Sequence, residues 1–207
     1  MTCIDLKNIN FTDTNNVNLI NIGISNRHLH ISQEHLEKLF GEGYQLTNLK
    51  DLSQPGQYAC NETVHVVGHK SCIQNVRILG PVRKQTQVEL AKTDAIKIGI
   101  KAPLRSSGDL AGSPGCVLVG PCGYVVLEEG VIIAKPHIHL NTSQGEAIGV
   151  KDKELVDVYF KGPKEGALFN VEVRVHETFD MDLHLDTDEA NTFQLKNKDK
   201  ALLVKKA

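Results

Sequence analysis

The chain has 207 residues, a hydrophobic content of 41% and a formal net charge of −2. That length suffices for one large domain or two small ones with hydrophobic cores. The balanced charge excludes a general basic surface for nucleic acid, and 5% aromatic residues without tryptophan argue against a stacking platform for single strands. No apolar run approaches the length of a membrane span. We therefore expect neither nucleic acid nor a membrane among its partners.

The cysteines form an odd, scattered set without a C-x-x-C pair, namely Cys3, Cys60, Cys72, Cys116 and Cys122. Such a set is typical of a reduced intracellular protein rather than a disulfide scaffold. The polar start with Asp5 lacks the pattern of a secretory signal, so we expect a cytoplasmic protein. No base neighbours Cys116 or Cys122 in the sequence, and both are predicted to be small buried residues rather than nucleophiles.

The first forty residues predict an arm, a strand and a helix. Residues 1–16 are polar and Asn-rich, which is typical of a loose arm. Residues 17–25 (VNLINIGIS) carry strand-like apolar residues and lead into His28. Ser32 is a predicted cap of a helix over 33–40. Leu36, Leu39 and Phe40 form the apolar stripe of this helix, and Gly41 and Gly43 end it.

Short apolar segments separated by Gly, Pro, Asn and Asp follow, and they predict many short strands. They cover 63–67, 71–79, 86–90, 95–99, 116–119, 124–127 and 131–134. Strands of this length with such turns favour a mainly β fold built from barrels.

Two His-x-His pairs, His28/His30 and His137/His139, lie on strand-like stretches. Residues i and i+2 of a strand share one face, so each pair directs two imidazoles to one point. Imidazole is the commonest metal ligand, and Zn²⁺ takes three or four such donors. One pair alone could arise by chance on a polar strand face. Two pairs in matching contexts predict either two metals or one metal held from two halves.

Each pair belongs to a repeated pattern that predicts a third ligand. A helix-like stretch follows each pair, and a Val-Arg step then precedes Glu89 in the first half and His184 in the second. We infer a duplicated unit from this shared order. Two imidazoles with a carboxylate, or three imidazoles, leave an open position on Zn²⁺, which is typical of catalytic sites. Structural zinc would more often recruit cysteines.

Arg83 and Gln87 precede Glu89 at positions that share one face of an extended strand. A guanidinium beside a metal ligand predicts an anionic substrate, because its fork binds phosphate or carboxylate at two points. Arg174 is the predicted equivalent in the second half. The alternative is a solvent-facing strand edge, or an ordinary surface Arg174 beside Glu172. The loop 106–115 (SSGDLAGSPG) would let a backbone approach a phosphate or a pantetheine arm, although such loops are more often plain turns.

Four motifs together resemble the PduL-type phosphotransacylases, also called phosphate propanoyltransferases. They are residues 26–30 (NRHLH), 80–90 (GPVRKQTQVEL), 135–140 (KPHIHL) and 182–188 (DLHLDTD), and the likeness covers about residues 18–205. The resemblance implies two similar β-barrels with short capping helices, the first discontinuous in sequence. We expect domain 1 over 17–36 plus 135–207 and domain 2 over 37–134.

The resemblance also implies a site. His28, His30 and Glu89 would hold one divalent metal, and His137, His139 and His184 would hold the other, with zinc the expected ion. Arg83, Arg174, Gln87 and Ser25 match further site positions of the family. The implied substrates are CoA thioesters such as propionyl-CoA or acetyl-CoA, with phosphate as the acceptor and acyl phosphate plus CoA as products.

Some family members work inside bacterial microcompartments, where an acyl kinase and shell or core proteins are expected partners. Here residues 1–16 lack the amphipathic stripe of a packaging tag, so a cytoplasmic enzyme that feeds an acyl kinase is the alternative. Two rivals remain for the activity. The first is a metal-dependent hydrolase of a phosphate ester or thioester. The second is a non-enzymatic, cupin-like metal-binding barrel, which is disfavoured because a cupin has a Glu four or five residues after its H-x-H and Ser143 and Gln144 stand there in this chain.

Overall fold

The structure is a computed structural model that describes residues 9–13 and 16–206. The predicted arm over 1–16 therefore lies mostly outside the described residues. The chain divides into two compact units. Unit 1 comprises Met1–Ile24 and Pro136–Ala207, and unit 2 comprises Ser25–Lys135. Each unit is built mainly from β-strands with two short helices.

The described elements are as follows in chain order. The strands are β1 (Leu19–Ser25), β2 (His28–His30), β3 (Asn48–Asp51), β4 (Tyr58–Val67), β5 (Cys72–Gly80), β6 (Gln87–Glu89), β7 (Leu104–Arg105), β8 (Cys116–Val119), β9 (Tyr124–Leu127), β10 (Val131–Ala134), β11 (His137–Leu140), β12 (Leu155–Phe160), β13 (Gly166–Val175), β14 (Asp182–Asp186) and β15 (Lys200–Val204). The helices are α1 (Gln33–Phe40), α2 (Lys92–Ile98), α3 (Thr142–Ile148) and α4 (Thr187–Phe193).

Unit 1 contains a closed barrel of six strands in the order β1-β14-β11-β13-β12-β15. Pairing of β15 with both β1 and β12 closes it, so the described barrel has no free edge. Alternate residues of its strands, such as Ile20 and Ile22 or Val156, Val158 and Phe160, are buried in one core. The barrel takes β1 from the first segment and its other strands from the second.

Unit 2 contains a curled, open sheet of nine strands. Its order is β7-β10-β6-β2-β5-β4-β8-β9, with β3 on the side of β4. Residues 25–36, which the sequence analysis assigned to the first barrel, lie in this unit, because β2 hydrogen-bonds β5 and β6. The mainly β fold with short helices is confirmed, with one closed barrel and one half-barrel sheet.

One predicted strand is wrong. Residues 95–99 belong to α2 and its end, not to a strand. Ala95 and Ile98 are buried at a spacing of three, which suits a helix, and Gly99 ends the helix at φ 78°. The predicted boundaries of α1, β8, β9 and β10 agree with the structure, and so does the helix-like stretch that became α3.

Side-chain caps define the helices that follow the histidine strands. Ser32 caps α1 by accepting from the backbone N–H of His35, as predicted. Asn141 and Gln144 form a reciprocal capping box on α3, and Asp186 and Glu189 form one on α4. None of the helices in the described part of the chain is long and apolar enough to cross a membrane.

Candidate metal centres

In unit 2, the register of β2 against β6 positions the first cluster of ligand-type residues, His28, His30 and Glu89. In this antiparallel pair His28 lies opposite Glu89, and His30 lies opposite Gln87. Because His28 and His30 alternate with Leu29, both imidazoles share one face, while Leu29 enters the core. The sheet therefore gathers His28, His30 and Glu89, with ligand atoms that all lie within 4.8 Å of one another.

Distances and hydrogen bonds in this cluster suit a cation. Glu89 Oε2 lies 3.5 Å from His28 Nε2, and Glu89 Oε1 lies 3.8 Å from His30 Nε2. Two donors on a tetrahedral Zn²⁺ stand roughly 3.3 Å apart, given bonds of about 2.0–2.1 Å. His28 Nδ1 lies 2.8 Å from the Asn26 carbonyl oxygen, which orients the ring and leaves Nε2 toward Glu89.

Electrostatics favour the ligating protonation states of two members of this cluster, His30 and Glu89. Burial lowers the pKa of His30 to about 3, with the neighbouring charges of His28 and Arg83 acting in the same direction. Burial alone would raise the pKa of Glu89, but His28, His30 and Arg83 outweigh it and hold that pKa below its usual value. A neutral imidazole and an ionised carboxylate are the forms that bind divalent metals.

Three polar side chains border this cluster. Gln87 Nε2 donates to Glu89 Oε1 and, at 2.8 Å, to Ser107 Oγ. The Gly108 N–H donates to Gln87 Oε1 at 2.7 Å. Arg83 Nη1 lies 3.4 Å from Ser107 Oγ, so the 106–115 loop contacts the site instead of being a plain turn. Sequence reasoning flagged this loop but missed Ser107, because no spacing rule links it to Glu89.

The predicted extended run from 83 to 89 is only partly correct. Strand β6 covers Gln87–Glu89, whereas residues 81–86 form a loop after β5. Arg83 is placed by its backbone N–H, which donates to the Ile31 carbonyl at 2.8 Å. The guanidinium is half-buried, and burial lowers its pKa while Glu89 opposes that shift. Arginine nevertheless stays protonated.

Unit 1 repeats this arrangement with three histidines. In the antiparallel pair of β11 and β14, His137 lies opposite His184, and His139 lies opposite Asp182. The ring centroid of His139 lies 4.8 Å from the ring centroids of His137 and His184. The centroids of His137 and His184 are 5.1 Å apart. The ligand atoms of the three histidines again lie within 4.8 Å of one another.

Burial also shapes the three-histidine cluster. It lowers the pKa of His139 to about 3, and the charges of His184 and Arg174 add to the effect. His139 Nδ1 and His184 Nε2 are buried without a hydrogen bond to any described residue. Buried polar atoms normally have partners, and a cation bound by the cluster would satisfy these imidazole nitrogens. On donor chemistry, spacing and these orphaned atoms, both clusters fit a divalent metal.

Arg174 lies on β13 beside this second cluster. It pairs in parallel register with His139, and its Nε donates to Glu172 Oε1 at 3.0 Å. Its Nη2 is buried without a hydrogen bond to the described residues. Arg83 and Arg174 lie on different kinds of element, since Arg83 follows the end of β5 in a loop and Arg174 lies within β13, and their functional equivalence stays a prediction.

Comparison with known proteins identifies the family. A family model described as phosphate propanoyltransferase matches residues 21–196. The chain belongs to the phosphate propanoyltransferase family. A phosphate propanoyltransferase of Thermotoga maritima is 53% identical over 184 residues, or 88% of each chain. One from Lachnoclostridium phytofermentans is 50% identical over 84% of this chain and 82% of its own. One from Listeria monocytogenes is 45% identical over 90% and 88%, respectively.

Membership in the phosphate propanoyltransferase family confirms the resemblance and the expected enzyme class, an acyltransferase. The roles of individual residues stay predictions. Ser25, the last of the predicted site residues, is half-buried at the end of β1, three positions before His28. Each unit of this family member thus presents one cluster of three ligand-type residues on two paired strands.

Two of the described cysteines, Cys60 and Cys116, are not placed as activated nucleophiles. Cys116 is buried, and burial raises the pKa of its thiol to about 12; Cys60 is also buried, and its pKa is raised to about 11. These thiols are therefore protonated near neutral pH. Cys122 is exposed, so the prediction that it is buried is wrong. The four described cysteines are all free thiols.

Proposed function

We propose that this chain is a phosphate acyltransferase that interconverts acyl-CoA plus phosphate with acyl phosphate plus CoA. Propionyl-CoA and acetyl-CoA are the proposed thioesters. His28, His30 and Glu89 would hold one divalent ion, and a second would be held by His137, His139 and His184. Zinc is the proposed metal. The observation that carries the proposal is the His28–His30–Glu89 cluster beside the half-buried guanidinium of Arg83, in a chain of this family.

Arg83 is proposed to bind the phosphate. Its fork presents two parallel N–H donors to two phosphate oxygens, and its position near Glu89 puts the anion at the ligand cluster. Ser107 Oγ lies 3.4 Å from Arg83 Nη1 and would hold the guanidinium plane in place. Phosphate is a poor nucleophile because its charge is spread and hydrated, so fixing it and removing its water favours attack.

The second cluster offers a corresponding donor. The buried Nη2 of Arg174 has no hydrogen bond among the described residues, and a substrate oxygen would satisfy it. Glu172 holds Arg174 at Nε and so fixes the direction of the guanidinium. When bound, the divalent ions would supply a Lewis acid that polarises the thioester carbonyl and the phosphate.

The transfer is proposed to be direct. A phosphate oxygen attacks the thioester carbonyl, the C–S bond breaks, and CoA leaves as its thiolate. An acyl-enzyme would need an activated nucleophile, and the buried thiols of Cys60 and Cys116 are protonated near neutral pH. The acyl phosphate product suits an acyl kinase as the next enzyme, in the cytoplasm or inside a microcompartment.

The test is thioester loss from propionyl-CoA and acetyl-CoA by the purified full-length chain, with and without phosphate and before and after chelation. Loss that needs phosphate, stops on chelation and returns with Zn²⁺ is the expected result. The rate ratio of the two thioesters gives the acyl preference. Loss without phosphate would instead establish a hydrolase. Absence of turnover in metal-loaded protein would overturn the proposal.

A further inference from the structure

Each cluster occupies three of four positions on two paired strands, and the fourth position differs between the units. In unit 2 the fourth position is Gln87, opposite His30. In unit 1 it is Asp182, opposite His139. Because residues i and i+2 share a face, each fourth residue faces the same side as its three neighbours. The second site therefore has a carboxylate where the first has a neutral amide.

Asp182 is closely confined in this position. Its side chain is 8% exposed, and Oδ2 lies 3.4 Å from His184 Nε2. Gly23 on the neighbouring strand β1 lies directly against it, since a Cβ there would stand 2.7 Å from Asp182 Oδ2. The absence of a side chain at Gly23 is what leaves room for the carboxylate. A buried acid in such a space needs a cationic or hydrogen-bonding neighbour.

Charge explains why the two fourth positions differ. The first ligand set contains the negative charge of Glu89, whereas three neutral imidazoles contain none. A divalent ion bound only by His137, His139 and His184 would keep its full charge in a largely buried site, close to the cationic Arg174. Asp182 is a buried carboxylate within reach of that cluster.

We propose that Asp182 completes the three-histidine site electrostatically: beside His184 Nε2, it supplies the negative charge that the three imidazole ligands lack. Gln87 is neutral in the corresponding position because Glu89 already carries that charge as a ligand. This inference rests on the proposed function, since it assumes that the three histidines bind a metal. Loss of a polar group that borders the ligands of a metal site typically weakens metal binding by about 10–100-fold.

The test measures zinc affinity by competition with a chromogenic chelator, in a full-length H28A background that disables the other cluster. The variant D182N keeps the shape of the side chain and removes its charge. The matched control is D180N, because Asp180 is exposed two residues away and accepts from Gln144 Nε2. We expect D182N to bind zinc about 10–100-fold more weakly and D180N to bind as the background does.

The melting temperature of the metal-free protein separates an effect on metal affinity from an effect on folding. We expect D182N to match its background when apo and to gain less stability from zinc, because the gain depends on affinity. Gly23→Ala is a second variant that crowds the carboxylate without altering its charge, and it should also weaken zinc binding. Unchanged zinc affinity in D182N would overturn this inference and leave the three-histidine site standing. Unchanged zinc binding on adding His137→Ala to the background would overturn the three-histidine site itself and this inference with it.

Discussion

Replacing Gly23 by alanine should destabilise unit 1 through one identifiable contact. The added Cβ would stand 2.7 Å from Asp182 Oδ2 and 3.1 Å from both Cγ and Oδ1. Cβ atoms essentially never stand closer than 3.0 Å to another such atom, so β1 or the Asp182 side chain must move. Overpacking of this kind costs about 1–3 kcal/mol. In a chain of this size about 2 kcal/mol lowers the melting temperature by roughly 5 °C.

The assay is thermal unfolding of the chelator-treated protein, arranged as a double-mutant cycle of G23A and D182A. The three atoms nearest to the new methyl group all belong to Asp182, so the cost of G23A should largely vanish when they are removed. Gly162→Ala is the control, because a Cβ there meets nothing within 4 Å and should leave stability unchanged or slightly raised. An equal cost of G23A in both backgrounds would refute the reasoning.

Three further outcomes are expected. Arg83→Ala should raise the KM for phosphate at least tenfold with little change for the thioester, and phosphate kinetics like those of the unaltered chain would contradict the role of this residue. Burial, with the charges of Asp186 and Asp188, raises the pKa of Glu189 to about 7, so its stabilising contribution is complete below about pH 4.5 and is lost as the pH rises through 7. Glu189→Gln should therefore stabilise the protein by about 1–3 kcal/mol at pH 8 and change its stability little at pH 4.5. Denaturant unfolding at the two pH values measures this difference, and equal effects at both would contradict the reasoning. A maleimide should label Cys72 and Cys122 in the native protein within minutes and spare Cys60 and Cys116, as peptide mapping would show; early labelling of Cys116 would contradict its burial.

Local patterns in the sequence predicted the residues that form the two clusters. The i, i+2 spacing of His28/His30 and His137/His139 determines that each pair shares a face as soon as a strand forms. The repeated order of the segments pointed to Glu89 and His184, and the strand register brings both opposite the first histidine of each pair. These positions were predictable because strand periodicity is a local property.

Long-range register decided what local patterns missed. Arg83 and Arg174 each end a Val-Arg step, yet the first lies in a loop and the second within a strand. Ser107 meets Gln87 across 20 residues, and only the folded loop produces that contact. Residues 95–99 looked like a strand because a short apolar run fits either structure, and burial at a spacing of three then selected the helix.

The amino-acid sequence by itself determined the family, the mainly β fold and the residue types that gather in each unit. The tertiary structure decided which strands pair, and hence that β2 lies with β5 and β6 and that Asp182 lies opposite His139. The physical reason is that a strand fixes the direction of its own side chains, whereas its partner and register depend on the burial of distant residues. The close approach of Gly23 to Asp182 belongs to this second kind of information, because 159 residues separate the two along the chain.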